Sequence, residues 1–428
     1  LKPLSNLSNF QIERLCNITY LDVLISEQTK NNLNHIMRYM LDGGFDEVES
    51  LPVLMSRPEW EQVARSITED PILSGFFVVK YENDEKNGSR VFCFADGNPH
   101  DSHKAHGEIY VVFRGTCGDV EWYDNARGMF VAETRAQTAA LSFVREVREE
   151  FPTAEICVAG HSKGGNKAQY CAIVGGEIVK KCLSIDGQGF SHLFFEKYGG
   201  IIEEAGEIAA ISERRDFVNC LGFYLKTPEY YAGGRGDTCE KFPFGQPLPY
   251  FHCPDALRLK DGDFGDRALV SYISKALNSF VIYFLTAKKY SGKAEKIAYG
   301  LVSLMTADRH GKQAVEAIAE AALIFFELAA KDESFRGELR DVFVYEKDVI
   351  SATSQMLREN IKGNEIVEHA SKTFAEKLTH KPKYFRYFIQ SVERYVVFTR
   401  KVQKAKENAG HINHYIKGIF KHINQKSL

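Results

Sequence analysis

Ser162 is the residue whose neighbours most clearly suggest chemistry. It lies in Gly160-His161-Ser162-Lys163-Gly164, which fits Gly-x-Ser-x-Gly, after the short apolar run Ile156 to Ala159. A run of that length reads as a buried strand of a parallel sheet. Ala168, Tyr170, Cys171 and Ile173 then mark a helix-like segment. A sharp strand-to-helix turn lifts one serine above the sheet in a strained conformation, and side chains two residues either side would collide, so both positions are glycine. The turn opens a helix, so the backbone N–H of Lys163 can point at a developing oxyanion. A serine so presented suits nucleophilic attack on an acyl carbon. The plainer alternative is a tight turn whose serine caps the helix.

Such a serine needs a base and an orienting acid, and in this topology the acid precedes the histidine in the chain. Of the histidines after the elbow, only His192 and His252 fall in the strand-bearing region. His252 lies in Pro249-Tyr250-Phe251-His252-Cys253-Pro254-Asp255, a loop beyond the last strand, which suits a base swung over the serine. A loop-packing or surface histidine is the alternative, and His161, beside the serine, reads as structural. Two carboxylates follow strands: Asp216 after Glu207–Ile211, and Asp186 after Cys182–Ile185. The loop after the later strand is the usual donor, so Asp216 is the expected acid and Asp186 the runner-up. Asp216 would otherwise be a surface partner of Arg214 or Arg215, and Asp186 a residue shaping the turn of Gly187 and Gly189. A second oxyanion donor is expected after the strand ending at Phe113. There Gly115 lets the chain bend towards the elbow, and Thr116 offers a backbone N–H and a hydroxyl. The chemistry calls for no metal and no organic cofactor. The cluster Ala232-Gly233-Gly234-Arg235-Gly236 lacks the strand, helix and Lys of a phosphate loop, and reads as a flexible loop at the mouth of the site.

These residues need a sheet to carry them. Phe76–Tyr81 and Arg90–Phe94 flank Asn87-Gly88, a hairpin signal inside a longer loop. Glu108–Phe113 is a third strand, Glu133–Phe151 an amphipathic helix, and the elbow strand follows directly. Two further strands come after the elbow helix. This order describes a mostly parallel sheet with an antiparallel edge, the α/β class, and with the elbow an α/β-hydrolase fold. Residues 1–70 read as a helical segment packed on the core, 71–265 as the core, and 266–428 as a helical region ending in a basic tail.

Composition narrows the functional classes. The chain is 44% hydrophobic and 26% charged, ordinary for a soluble globular protein, and its net charge of -3 gives no global attraction to nucleic acid. Residues 381–428 hold 11 Lys and Arg against 2 Asp and Glu, which leaves the preceding chain at -12. In that tail Ile412, Tyr415, Ile416, Ile419, Phe420 and Ile423 form an apolar stripe beside Lys417 and Lys421. A basic amphipathic helix suits peripheral contact with an anionic membrane; the alternative is a terminal helix packed on the domain. The nine cysteines are scattered with no Cys-x-x-Cys pair, so free thiols in a reducing, cytoplasmic setting are expected. No signal peptide is visible at the start, although the sequence begins with Leu and a removed leader would permit secretion. The apolar stretch Ala317 to Ala330 is interrupted by Glu320 and Glu327 and reads as a packed helix.

Val111-Val112-Phe113-Arg114-Gly115-Thr116 together with Gly160-His161-Ser162-Lys163-Gly164-Gly165 resembles the class 3 (fungal-type) lipases. More closely, the chain is similar to the Mbeg-like branch of bacterial lipase-like proteins, a domain family of unknown function. Further matching stretches are Phe10…Thr19-Tyr20-Leu21-Asp22, Glu121-Trp122-Tyr123-Asp124-Asn125, Asp186-Gly187-Gln188-Gly189-Phe190 and Asp216-Phe217-Val218-Asn219-Cys220-Leu221-Gly222, over about residues 8–310. The resemblance implies Ser162 as nucleophile, Asp216 as acid, His252 as base and Thr116 as oxyanion threonine. Two departures stand out. His252 is followed by Cys-Pro-Asp where the branch more often has Asp, and Lys163 and Lys167 bring positive charge to the elbow. The implied activity is hydrolysis of carboxylic esters, esterase- or lipase-like, on a small-molecule or lipid ester, through an acyl-enzyme. The alternatives are a catalytically silent hydrolase-fold scaffold or interaction module, and an acyltransferase or thioesterase using the same residues.

Overall fold

The computed structural model describes residues 7–21, 31–48, 52–84, 89–97, 107–234, 246–258, 264–302 and 312–360. The chain opens with helices α1 (Asn9–Ile18), α2 (Leu33–Leu41) and α3 (Arg57–Glu69). Strands β1 (Phe76–Asp84), β2 (Ser89–Asp96) and β3 (Glu108–Phe113) then pair antiparallel. Helices α4 (Asp119–Gly128) and α5 (Arg135–Glu150) lead to β4 (Glu155–His161), which pairs parallel with β3. Then come α6 (Lys163–Val174), β5 (Lys181–Ile185), α7 (His192–Ile202), β6 (Glu207–Glu213), β7 (Glu229–Tyr231) and β8 (Arg267–Ala268). The pairing stays parallel to β7, and β8 closes the eight-stranded sheet antiparallel, with all strands in chain order.

That order decides the layers. Right-handed crossovers between strands that are neighbours in sequence put every crossover helix on one face. Ile109, Val111 and Phe113 of β3 and Ile156 and Val158 of β4 accordingly pack with Phe143 and Val144 of α5, Ala168 and Tyr170 of α6 and Phe194 of α7. The alternate residues Tyr110, Val112, Cys157 and Ala159 point to the other face, which would stay bare without the N-terminal helices. Leu15 of α1, Met37 of α2 and Trp60 and Val63 of α3 cover it. Each such fully buried side chain contributes about 1.5–3 kcal/mol. An α/β-hydrolase fold is thus completed by its N-terminal segment.

By compactness, the described residues up to Thr286 form one unit with Glu346–Met356, and Ala287–Tyr345 belong to a second. The sequence pattern turns helical at 266, but β8 and helix α8 (Tyr272–Thr286) still belong to the sheet-bearing unit. Its Ser274 Oγ donates to the Asp216 backbone carbonyl at 2.8 Å. The returning segment is bound to the same unit. Glu346 accepts the N–H groups of Tyr272 and Ile273, at 3.2 and 2.7 Å, and Thr353 Oγ1 accepts that of Leu248 at 2.7 Å. The second unit is helical, with α9 (Ala294–Val302), α10 (Lys312–Lys331) and α11 (Glu333–Tyr345); α12 (Lys347–Asn360) follows. No helix among the described residues is long and apolar enough to cross a membrane. The basic tail with its stripe from Ile412 to Ile423, the Asn87-Gly88 turn, Asp22, and Arg235 and Gly236 of the glycine cluster lie outside the described residues.

Helix α1 also buries charge. Arg14 pairs with Glu13 at 2.5 Å and with Asp255 at 2.8 Å, and Arg258 holds Asp255 at 2.6 Å. This links α1 to the chain just after His252. Burial pushes the Glu13 carboxyl up to about 8, against the pull of the Arg14 guanidinium. A carboxyl raised in the folded state favours the fold fully below its unfolded value, and that contribution is lost as pH rises through the folded value. Unfolding free energy of the native protein should therefore fall between about pH 4.5 and pH 8 relative to Glu13→Gln, by up to about 1.4 kcal/mol per pH unit. Urea titrations of both proteins across that range measure it; parallel pH curves would refute it.

Candidate active site

Close backbone approach builds the elbow. A Cβ on Gly160 would sit 2.3 Å from the carbonyl carbon of Gly164, and one on Gly164 would sit 2.0 Å from the Phe113 oxygen. Ser162 between them has φ 60° and ψ -125°. Such a backbone costs of order 1–3 kcal/mol and persists where surrounding contacts impose it. Here its N–H donates to the Ile185 carbonyl at 2.9 Å, tying the turn to β5. The Ser162 side chain makes no capping bond to α6. Its Oγ instead lies 2.8 Å from His252 Nε2, so the helix-cap alternative does not hold.

His252 ends a tight helical turn, Leu248–His252, and its Nδ1 lies 2.5 Å from Asp216 Oδ2. Asp216 is fully buried, and its other oxygen accepts the Asn219 N–H at 2.7 Å. It is no surface partner of Arg215, which pairs with Glu213 at 3.3 Å and lies over the Phe251 ring. The Phe217 and His252 rings meet edge to face, with centroids 5.4 Å apart.

Asp186 is held elsewhere. Its φ is 48°, and one oxygen accepts Ser212 Oγ at 2.5 Å and the Glu213 N–H at 2.8 Å. The other lies 3.9 Å from His161 Nε2. Burial, then the charge of Asp216, pushes the Asp186 carboxyl well above the usual range. The structure therefore brings Asp216 to the His252 ring and leaves Asp186 as a buried neighbour.

The proposed oxyanion donors flank Ser162. Lys163 is the first residue of α6, where a backbone N–H has no intrahelical acceptor. A Cβ on Gly115 would lie 3.0 Å from Ser162 Cβ and 2.9 Å from the His161 oxygen, so the loop of Thr116 abuts the elbow. Asn125 Nδ2 donates to Thr116 Oγ1 at 2.7 Å.

Helix α4 supplies further residues that pack against the elbow. The lysines of the elbow helix do not leave positive charge unbalanced. Lys163 Nζ meets Asp124 at 2.8 Å, and Lys167 Nζ meets Glu121 at 2.9 Å, with both ammonium groups buried. Arg114 adds a contact to Glu121 at 3.5 Å. Burial alone would raise the Asp124 carboxyl, but the Lys163 ammonium beside it leaves it below its ordinary value. Burial pushes Lys167 down, against the pull of Glu121. Glu121, Asp124 and Asn125 are spaced to share one helical face, and that spacing was the available signal.

A hydroxyl, an imidazole and a carboxylate in line beside backbone N–H donors can activate the hydroxyl and stabilise an oxyanion. Among the described residues no group of three or more His, Cys, Asp or Glu is arranged to hold a metal ion.

Residues 90–205 match the Mbeg1-like family model. The Mbeg1-like segment contains Thr116, Ser162 and Asp186, while Asp216 and His252 lie beyond it. No curated protein matches the chain. Several solved lipases are similar in structure. For the Lip2 lipase of Yarrowia lipolytica the identity is 16%, over 36% of this chain and 65% of that one, with a TM-score of 0.26. For a triacylglycerol lipase from Penicillium expansum it is 12%, over 47% and 84%, with a TM-score of 0.28. Lipase II from Rhizopus niveus is 12% identical, over 60% of this chain and 96% of that one, with a TM-score of 0.31. These values are too low to transfer an activity, and the fold is assigned from strand order and the elbow.

Proposed function

We propose that this chain is a serine hydrolase of carboxylic esters, acting on a small-molecule or lipid ester. The observation that carries the reading is the line Ser162 Oγ, His252 Nε2, His252 Nδ1, Asp216 Oδ2, with separations of 2.8 and 2.5 Å across the ring. In this mechanism Ser162 Oγ attacks the ester carbonyl carbon while His252 Nε2 takes its proton, and Asp216 holds the Nδ1–H tautomer. The N–H groups of Lys163 and Thr116, with the Thr116 hydroxyl, stabilise the tetrahedral oxyanion. The proton on His252 passes to the leaving alkoxide. A water then adds to the acyl-enzyme with His252 again as base, releasing the acid and restoring Ser162.

A fluorophosphonate probe tests this. The native protein should be labelled and should hydrolyse p-nitrophenyl esters, and folded Ser162→Ala should lose the label and about 10⁶-fold of turnover. Folded native protein that takes no label would favour a silent scaffold. Faster turnover of acyl-thioesters than of matched esters would favour a thioesterase.

A further inference from the structure

Tyr20 stands just past the end of α1 and is buried, far in sequence from every residue of the site. Its hydroxyl lies 2.7 Å from His161 Nδ1, and the two rings meet edge to face at 5.8 Å. The backbone of Gly115 lies against the same hydroxyl. A Cβ on Gly115 would come within 2.0 Å of it, so glycine is what admits this approach. A neutral imidazole nitrogen is a better acceptor than a phenol oxygen, so the Tyr20 O–H donates to His161 Nδ1. His161 then carries its proton on Nε2. The His161 ring is buried and stays neutral: burial, then the neighbouring His252, holds its pKa well below the usual imidazole value. Its face lies 4.7 Å from the His252 ring, tilted by 31°. One phenol thus touches the oxyanion loop on one side and, through His161, backs the histidine beside Ser162 on the other.

We propose that Tyr20 is a positioning residue of the hydrolytic centre: its hydroxyl sets the spacing between the Gly115–Thr116 loop and the elbow, and locks His161 as the surface on which His252 rests. The proposal rests on the esterase reading for its effect on turnover, but its geometric part does not. It also gives the N-terminal segment a role beyond covering the sheet.

Tyr20→Phe keeps the ring and removes only the oxygen. Its kcat on a short p-nitrophenyl ester should fall by about 10- to 100-fold with KM within about twofold, since the lost contacts aim donors and base and do not hold substrate. In ¹⁵N spectra of histidine-labelled protein, native His161 should show a bare, hydrogen-bonded Nδ1 and a protonated Nε2, and Tyr20→Phe should mix the tautomers. A second pair guards against misfolding. His161→Asn places an acceptor near the Nδ1 position and should retain about tenfold more kcat than His161→Gln. Unchanged kcat or unchanged His161 nitrogens in Tyr20→Phe, or equal losses in the two His161 variants, would overturn the proposal. If native protein neither labels at Ser162 nor hydrolyses esters, the esterase reading fails, and the nitrogen shifts alone decide the role of Tyr20.

Discussion

Asp216→Asn should lower kcat for the proposed ester hydrolysis by about 10⁴-fold, whereas Asp186→Asn should stay within about tenfold of the native protein. The two carboxylates follow adjacent strands and both are fully buried, so burial does not separate them. Their partners do. Asp216 Oδ2 meets His252 Nδ1, and an amide there would present N–H₂ or a neutral oxygen, favouring the wrong imidazole tautomer and withdrawing the charge that stabilises imidazolium. Asp186 accepts from Ser212 and Glu213, and its carboxyl is pushed towards the neutral form, which an amide resembles in shape and charge. Steady-state kinetics at pH 7.5, on variants shown to be folded by circular dichroism, decides between them. Equal losses at the two positions would remove Asp216 from the assigned role.

Glu121→Ala should destabilise the fold by about 3–5 kcal/mol, and Lys167→Met by less than about 2 kcal/mol. Glu121 alone faces three groups: Lys167 at 2.9 Å, Arg114 at 3.5 Å and the Cys117 N–H at 2.5 Å. Removing it takes one counter-charge from a fully buried ammonium and a largely buried guanidinium. Removing Lys167 in favour of an unbranched apolar side chain takes away a charge that burial penalises, and Glu121 keeps Arg114 and the backbone donor. Chemical denaturation of the two variants measures the difference. If Lys167→Met cost as much as Glu121→Ala, the ion pair would be stabilising in its own right and the asymmetry wrong.

Much of the architecture was readable along the chain because its signals are local. The strands at Glu108–Phe113 and Glu207–Glu213 and the helix Arg135–Glu150 announce themselves by apolar runs and period. Four elements did not. Helix α4 is mostly polar because its carboxylates turn inward to lysines, and α7 carries Gly199 and Gly200 in its body. Strands β7 and β8 have three and two residues, too few for any period to register.

By itself the sequence determined the fold class and the elbow, because a turn that forbids side chains at Gly160 and Gly164 must be written as glycine. It also narrowed the base and the acid to a short list, since only certain residue types perform those tasks. Which carboxylate reaches His252 was decided only in three dimensions, by adjacent strand ends and the loops that leave them. The same holds for the pairing of Lys163 and Lys167 with α4, and for the approach of Tyr20 to the oxyanion loop. Each joins segments separated by tens of residues or more. Such a contact leaves no periodic trace in the chain, because its energy depends on burial and distance that exist only once the sheet and its two helical layers have closed.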